Sequence, residues 1–226
     1  QRDSMALQWF RLGAVPAWWK HFVPINVKEK DGDGKHWALR YWVSPDYLVL
    51  GTRKDWVRVP VTPMAARQMM DQVGAAFPTR KMVDQVYAAA NIQLVPMPMV
   101  AFRDSSQTMY QHHLIIEGQR KGRRGLIAGI KKDVVITAKL TTTDRGNKVG
   151  IYGWHLPGGV PIQPLYTGHA NWYVDYSHGI RFVNKRLLLN GKSVSLEEIL
   201  GNAKLSHLLC DEDSCGYFQY PKQHNN

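Results

Sequence analysis

Two histidines, an aspartate, a serine and three aromatic residues share the stretch His169-Ala-Asn-Trp-Tyr-Val-Asp-Tyr-Ser-His-Gly179, and a Trp154-His155 pair lies just upstream. Imidazole, carboxylate and hydroxyl groups move protons, attack carbonyls or bind metals, and here they stand among apolar residues that a core would bury. His155, His169, Asp175, Ser177 and His178 are therefore the candidate catalytic groups.

Three chemistries fit these residues. Ser177 is a candidate nucleophile, with His155 or His169 as its base and Asp175 or Asp133 to orient that base. Against it, Asp-Tyr-Ser-His-Gly carries only the last glycine of a nucleophile elbow. A divalent metal such as zinc would find ligands in His155, His169, His178 and Asp175, although no His-Glu-x-x-His spacing specifies one. In the third version His178 or His155 is a general acid or base, with Asp175, Tyr176 and Arg181 binding substrate. The plain alternative for His178 is a satisfied core histidine.

Aromatic residues surround the candidates. Trp154, Tyr166, Trp172 and Tyr173 lie close in sequence and beside prolines, as in a groove that stacks sugar rings, or equally as in a tight β connection. Trp154, Tyr173, Tyr176 and Arg181, together with Arg80 and Lys81, are the expected substrate-binding residues. Arg80 and Lys81 open a helix, where the dipole disfavours cations; they are either an ordinary exposed pair or the place of an anionic ligand or a carboxylate partner.

The positioning elements read as follows. Residues 172–183 suggest one strand, on which Asp175 and Ser177 face one way and His178 the other, so Ser177 and His178 cannot pair without a bulge. Gly179 points to such a bulge or to a close ligand approach. Short aromatic and β-branched runs at 36–43, 47–50 and 56–59 form an antiparallel meander. Asp31-Gly-Asp-Gly34 lacks the later ligands of an EF-hand loop. Helices are expected after Thr62-Pro63, after Pro78-Thr79 and over about 106–117, with strands at 134–137 and 149–152. A capping box at Ser195-Leu-Glu-Glu198 opens a last helical region towards Leu209. The order implies a single α+β domain over 1–226, an antiparallel sheet that is meandering or partly barrel-like, and three to four packed helices.

Composition bounds the partners. Lys and Arg outnumber Asp and Glu 29 to 18, a net charge of +11. That surplus favours anionic partners: nucleic acid, acidic polysaccharide, cell-wall polymer or a membrane surface. The plain reading of Arg120-Lys-Gly-Arg-Arg124 and of Lys131-Lys132 is a solvated loop. No apolar window of about 18 residues suggests a transmembrane helix. The chain lacks an amino-terminal basic and apolar signal segment and begins at Gln1, as either a processed mature form or a trimmed chain would. The two cysteines, Cys210 and Cys215, suit a small disulfide loop that ties the carboxyl end. Zinc would need further ligands, for which only His207 and His224 are near. A disulfide implies secretion or a periplasmic location.

The runs Ile151-Tyr-Gly-Trp-His155, Pro161-Ile-Gln-Pro-Leu165 and Tyr173-Val-Asp-Tyr-Ser-His-Gly-Ile-Arg181 resemble a group of uncharacterised exported bacterial proteins. Lys131–Ile136 and Pro78–Val83 extend the resemblance to about residues 45–185. It implies export and attaches no activity. The expectation is a secreted or periplasmic hydrolase of an anionic or glycan-rich polymer such as cell-wall material. The competing expectation is a non-enzymatic module that binds polysaccharide or nucleic acid through aromatic residues and basic charge.

Overall fold

A computed structural model describes residues 1–141 and 146–222. Among these residues are five α-helices and several antiparallel sheets, none closed into a barrel, so the fold is α+β. In chain order the elements are α1 (Arg2–Arg11), β1 (Val23–Lys30), β2 (His36–Val43), β3 (Val49–Gly51), β4 (Trp56–Arg58), α2 (Pro63–Gln72), β5 (Ala75–Ala76), α3 (Arg80–Ala89), β6 (Ile92–Gln93), α4 (Ser106–Arg120), β7 (Ile127–Ala128), β8 (Lys132–Val135), β9 (Gly150–His155), β10 (Pro161–Tyr166), β11 (His178–Gly179), β12 (Val183–Asn184), β13 (Arg186–Leu189), β14 (Lys192–Ser195) and α5 (Leu196–Gly201). Helix α1 was not expected from the sequence. Its buried side is only Asp3, Ala6, Leu7 and Phe10, while Met5, Trp9 and Leu12 face outward, which blurs the apolar stripe.

Side-chain caps set the helix starts. The hydroxyls of Thr62, Thr79, Ser105 and Ser195 each accept a backbone N–H of the first turn, at the head of α2, α3, α4 and α5. The capping box of Ser195 and Glu198 is complete, although α5 is only one and a half turns long. Helix α4 closes on Lys121 in a left-handed conformation, and the Arg123 guanidinium donates to the carbonyls of Gln119 and Arg120.

One sheet runs β14-β13-β2-β12-β5, with β1 also paired to β2. The other runs β10-β9-β8-β11, in which β8 and β11 are parallel and the remaining pairs antiparallel. Strands β1 and β2 bury alternate residues, as a sheet with one wet face does, whereas every residue of β8 and β9 is buried. Polar side chains on β8 and β9 therefore need partners inside the protein. The expected meander is instead two hairpins in different sheets, β1–β2 and β3–β4. The Asp31-Gly-Asp-Gly34 segment is the turn of the first: the Asp31 carboxylate accepts from the backbone of Asp33 and Lys35 and from the Trp37 indole.

The expected strand over 172–183 is a correction. Only His178–Gly179 and Val183–Asn184 are strands, each in a different sheet. Asp175 breaks the run, because its carboxylate accepts from Ser177 N and its carbonyl from His178 N, a local turn that displaces a ladder. Arg181 sits where the chain passes between sheets and donates to the carbonyls of Ser44 and Ile127, with Nε 3.4 Å from Asp133. The carboxyl end is tied by the Cys210–Cys215 disulfide. His224 lies outside the described residues.

Gly179 is explained by packing. A Cβ there would lie 2.5 Å from the Tyr47 ring and 3.0 Å from Lys131 Cβ, so the glycine lets Tyr47 close onto the strand. G179A is expected to lower stability by about 1–3 kcal/mol in urea unfolding. A change within about 0.5 kcal/mol would show that the Tyr47 ring yields at no cost.

Candidate functional site

The site is built on the parallel pair β8–β11. His178 stands beside Lys132 and Gly179 beside Asp133, which puts His178 and Lys132 on one face. The Lys132 ammonium lies 4.6 Å from the centre of the Trp154 ring, a cation–π contact. Trp154 holds this position with a backbone φ of 59°, costly for a non-glycine residue, and its indole donates to Ile130 O at 2.9 Å.

Asp175 is the hub of the cluster. One carboxylate oxygen accepts from Ser177 N at 2.8 Å and Ser177 Oγ at 2.6 Å; the other accepts from Arg103 at 2.9 Å and Tyr173 Oη at 3.3 Å. Burial alone would raise its pKa, but the nearby His178, the two Ser177 donors and Arg103 outweigh burial and hold it below the usual carboxylate range. The Ser177 hydroxyl gives its proton to Asp175 and has no histidine partner. The serine-nucleophile arrangement is thus not assembled.

His178 is 2% exposed, and its Nε2 has no hydrogen-bond partner. That nitrogen lies 4.0 Å from Asp175, beyond hydrogen-bond range. Its ring neighbours are His169, with centroids 6.1 Å apart, and Tyr173, at 6.0 Å. Both neighbours are half-buried. Burial lowers the His178 pKa to about 4, and His169 is lowered in the same direction by the same cause. Burial thus favours the neutral form of both rings.

A second layer lies beneath. Lys131, 3% exposed, donates to Tyr176 O and sits 3.3 Å from His112 Nδ1. Burial, reinforced by Arg58, brings this ammonium down to about 7, and burial with Lys131 beside it brings His112 to about 2.

No family model, curated protein or solved structure matches this chain. The reading of the site therefore rests on its own geometry.

The expected residues divide into groups. His169, Asp175, Ser177 and His178 come together, with Trp154 and Tyr173 at the edge. Tyr176 is buried; its hydroxyl accepts from Met99 N at 2.6 Å, and its ring meets His112 edge-on. His155 belongs to a separate cluster: its Nε2 is 2.7 Å from Asp84, Tyr152 donates to the same carboxylate, and Tyr87 stacks on the ring at 4.5 Å. Arg80 is paired with Asp211 and Lys81 with Glu29, so these cations have found carboxylates within the protein. Arg181 is 1% exposed and serves the packing described above. Among the described residues no three His, Cys, Asp or Glu side chains are placed to hold a metal ion.

Lys131, Lys132, Arg103 and His112 were not singled out from the sequence. The plain reading of Lys131 and Lys132 as a solvated loop does not hold, since both are buried. Their signal was the apolar stretch on either side, Ile127-Ala-Gly-Ile130 and Val134-Val-Ile136, which a surface loop does not have.

Stability should follow these protonation states. His178 and His113 are lowered to about 4 and His112 to about 2, from 6.5, each chiefly by burial. The unfolded chain then takes up the protons first, so this stability is present above about pH 6.5 and is lost as pH falls towards the folded values. Asp133, raised by burial to about 6, has the opposite sign: its contribution is present below 3.8 and is lost as pH rises through about 6. Three histidines outweigh one carboxyl. Unfolding free energy in urea is expected to drop between about pH 7 and pH 4.5, and H178Q to flatten the slope by up to one proton. An unchanged slope in H178Q would mean that another group titrates.

Proposed function

We propose that the protein is a hydrolase of an anionic or glycan-rich polymer such as cell-wall material, with His178 as the general base. The observation that carries this reading is the buried, unpartnered Nε2 of His178 beside an ionised Asp175 and beneath half-buried His169. An imidazole nitrogen without a protein partner is costly inside a protein and is free to take a proton from water. Ser177 does not compete, since its hydroxyl serves Asp175. Water is then the nucleophile. His178 accepts its proton as the bond to the polymer breaks, Asp175 stabilises the imidazolium, and the same ring returns the proton to the leaving group.

The anionic character of the substrate is supported by Lys132 and by the part-exposed Arg103, both on the Asp175 side of the site. Trp172, 71% exposed, and Tyr166, 46% exposed, supply ring faces for sugars. The disulfide supports a secreted or periplasmic location. No helix among the described residues is long and apolar enough to cross a membrane.

Release of soluble fragments from purified wall polymer tests the reading. H178A is expected to lower kcat by about 10²-fold or more, with polymer binding nearly unchanged. Activity should decline below about pH 4, where the ring protonates. The same exposed rings suit a binding module without catalysis, and that reading prevails if wild-type and H178A proteins bind alike and neither releases fragments. Binding that collapses between low and moderate salt would favour nucleic acid instead.

A further inference from the structure

A cleft of about 590 Å³ lies away from His178, lined by Trp18, His21, Arg53, Trp56, Arg120 and Arg124 with apolar residues behind them. None of the candidate catalytic residues reaches it. Its volume is that of a small-ligand pocket.

The wall is made by rings and a held cation. Trp18 and Trp56 meet edge-on with centroids 5.1 Å apart. The Arg120 guanidinium lies 5.8 Å from one ring centre and 5.6 Å from the other, fixed by a two-oxygen ion pair with Glu117. Arg58 covers Trp56 at 5.0 Å. Trp18 and Trp56 are thus locked in place, half-buried, before any ligand arrives.

The rim differs. Arg53, on the β3–β4 turn, and Arg124, after α4, are exposed, and neither guanidinium has a partner among the described residues. Within the basic run 120–124, Arg123 caps the helix carbonyls and Arg120 holds the indoles, whereas Arg124 lines the cleft. Two free guanidiniums from separate loops converge on one aromatic-walled cleft. Arginine binds carboxylate and sulfate oxygens in pairs, and an indole packs against the C–H face of a pyranose.

We infer that this cleft is a binding site for an acidic sugar unit, a carboxylated or sulfated ring, with Arg53 and Arg124 taking its charge and Trp18 its apolar face. A nucleic acid fits less well, because among the described residues only two guanidiniums lining the cleft are free and the two indoles meet edge-on instead of forming an open stacking track. The inference stands apart from hydrolysis at His178, and the two can fail separately.

Calorimetry with oligogalacturonates tests it on the whole protein. The expected result is submillimolar binding that weakens as salt rises, falls at least tenfold in R53A/R124A, and persists in H178A. Both arginines are exposed, so the double variant should keep its fold. No binding at millimolar ligand, an unaltered affinity in R53A/R124A, equal binding of neutral cello-oligosaccharides, or tighter binding of single-stranded DNA of matched charge would each overturn the assignment.

Discussion

Three consecutive charged residues, Lys131, Lys132 and Asp133, run through the interior at 3%, 7% and 3% exposure. A buried charge without a partner is costly enough to unfold a domain, so each must be compensated, and each partner comes from a different part of the chain. Lys131 reaches Tyr176 O and His112 on α4, Lys132 lies over Trp154 on β9, and Asp133 meets Arg181 beyond β11. The Lys131 and Asp133 ties hold the chain around Tyr176 and Arg181 against β8, and the candidate side chains Asp175, Ser177 and His178 lie on that stretch. The backbone turn at Asp175 and the glycine at 179 follow from the same requirement, because the chain has to double back closely enough for His178 to pair with Lys132.

Helix α4 joins this site to the aromatic cleft. His112 and His113 are adjacent and so point about 100° apart around the helix. His112 faces Lys131 and Tyr176, whereas His113 Nδ1 lies 3.2 Å from the Arg58 guanidinium. Arg58 in turn pairs with Asp46 at 2.6 Å and with Glu117 at 2.9 Å, one turn along α4 from His113. Glu117 also fixes Arg120 over the indoles of the cleft. Both networks carry desolvated charge, and both depend on the register of one helix. A shift of α4 would break the Lys131 and Arg58 contacts together, which makes the helix a rigid spacer between the two sites.

Much of the frame was legible in the sequence because it obeys local rules. Thr62-Pro63, Thr79, Ser105 and Ser195 cap helices through one side chain and one backbone N–H each, and such short-range chemistry is visible in a few residues. The disulfide and the density of chemistry between 169 and 179 were legible for the same reason. What was not legible is long-range. Whether Lys131 is wet or buried depends on Tyr176 and His112, and whether His155 joins His178 or Asp84 depends on how α3 packs on β9. The segment 172–183 misled through its composition: the β-branched and aromatic residues favour a strand, and the Asx turn at Asp175-Tyr-Ser177 overrides them. Once that turn forms, alternation no longer assigns faces, and Asp175, Ser177 and His178 collect in one place.

The balance at His178 shows what the site is poised to do. Unit charges 4 Å apart attract by about 4 kcal/mol at an effective dielectric near 20, so an ionised Asp175 alone should favour the imidazolium. Burial wins instead, aided by His169, Lys132 and Lys131, and the ring stays neutral. Burial and, to a lesser degree, the neighbouring lysines hold the proton off. In the proposed hydrolysis, an anionic group of the substrate near Lys132 and Arg103 would offset that positive charge, and any water entering with it would relieve the desolvation. Both changes raise the basicity of Nε2 at the moment a proton has to be taken, and Asp175 is already ionised and held by Ser177 and Arg103 to receive the charge that develops. On that reading the strength of the base would be coupled to occupancy of the site, because a neutral imidazole, a satisfied carboxylate and the Lys131 and Lys132 side chains are buried close together.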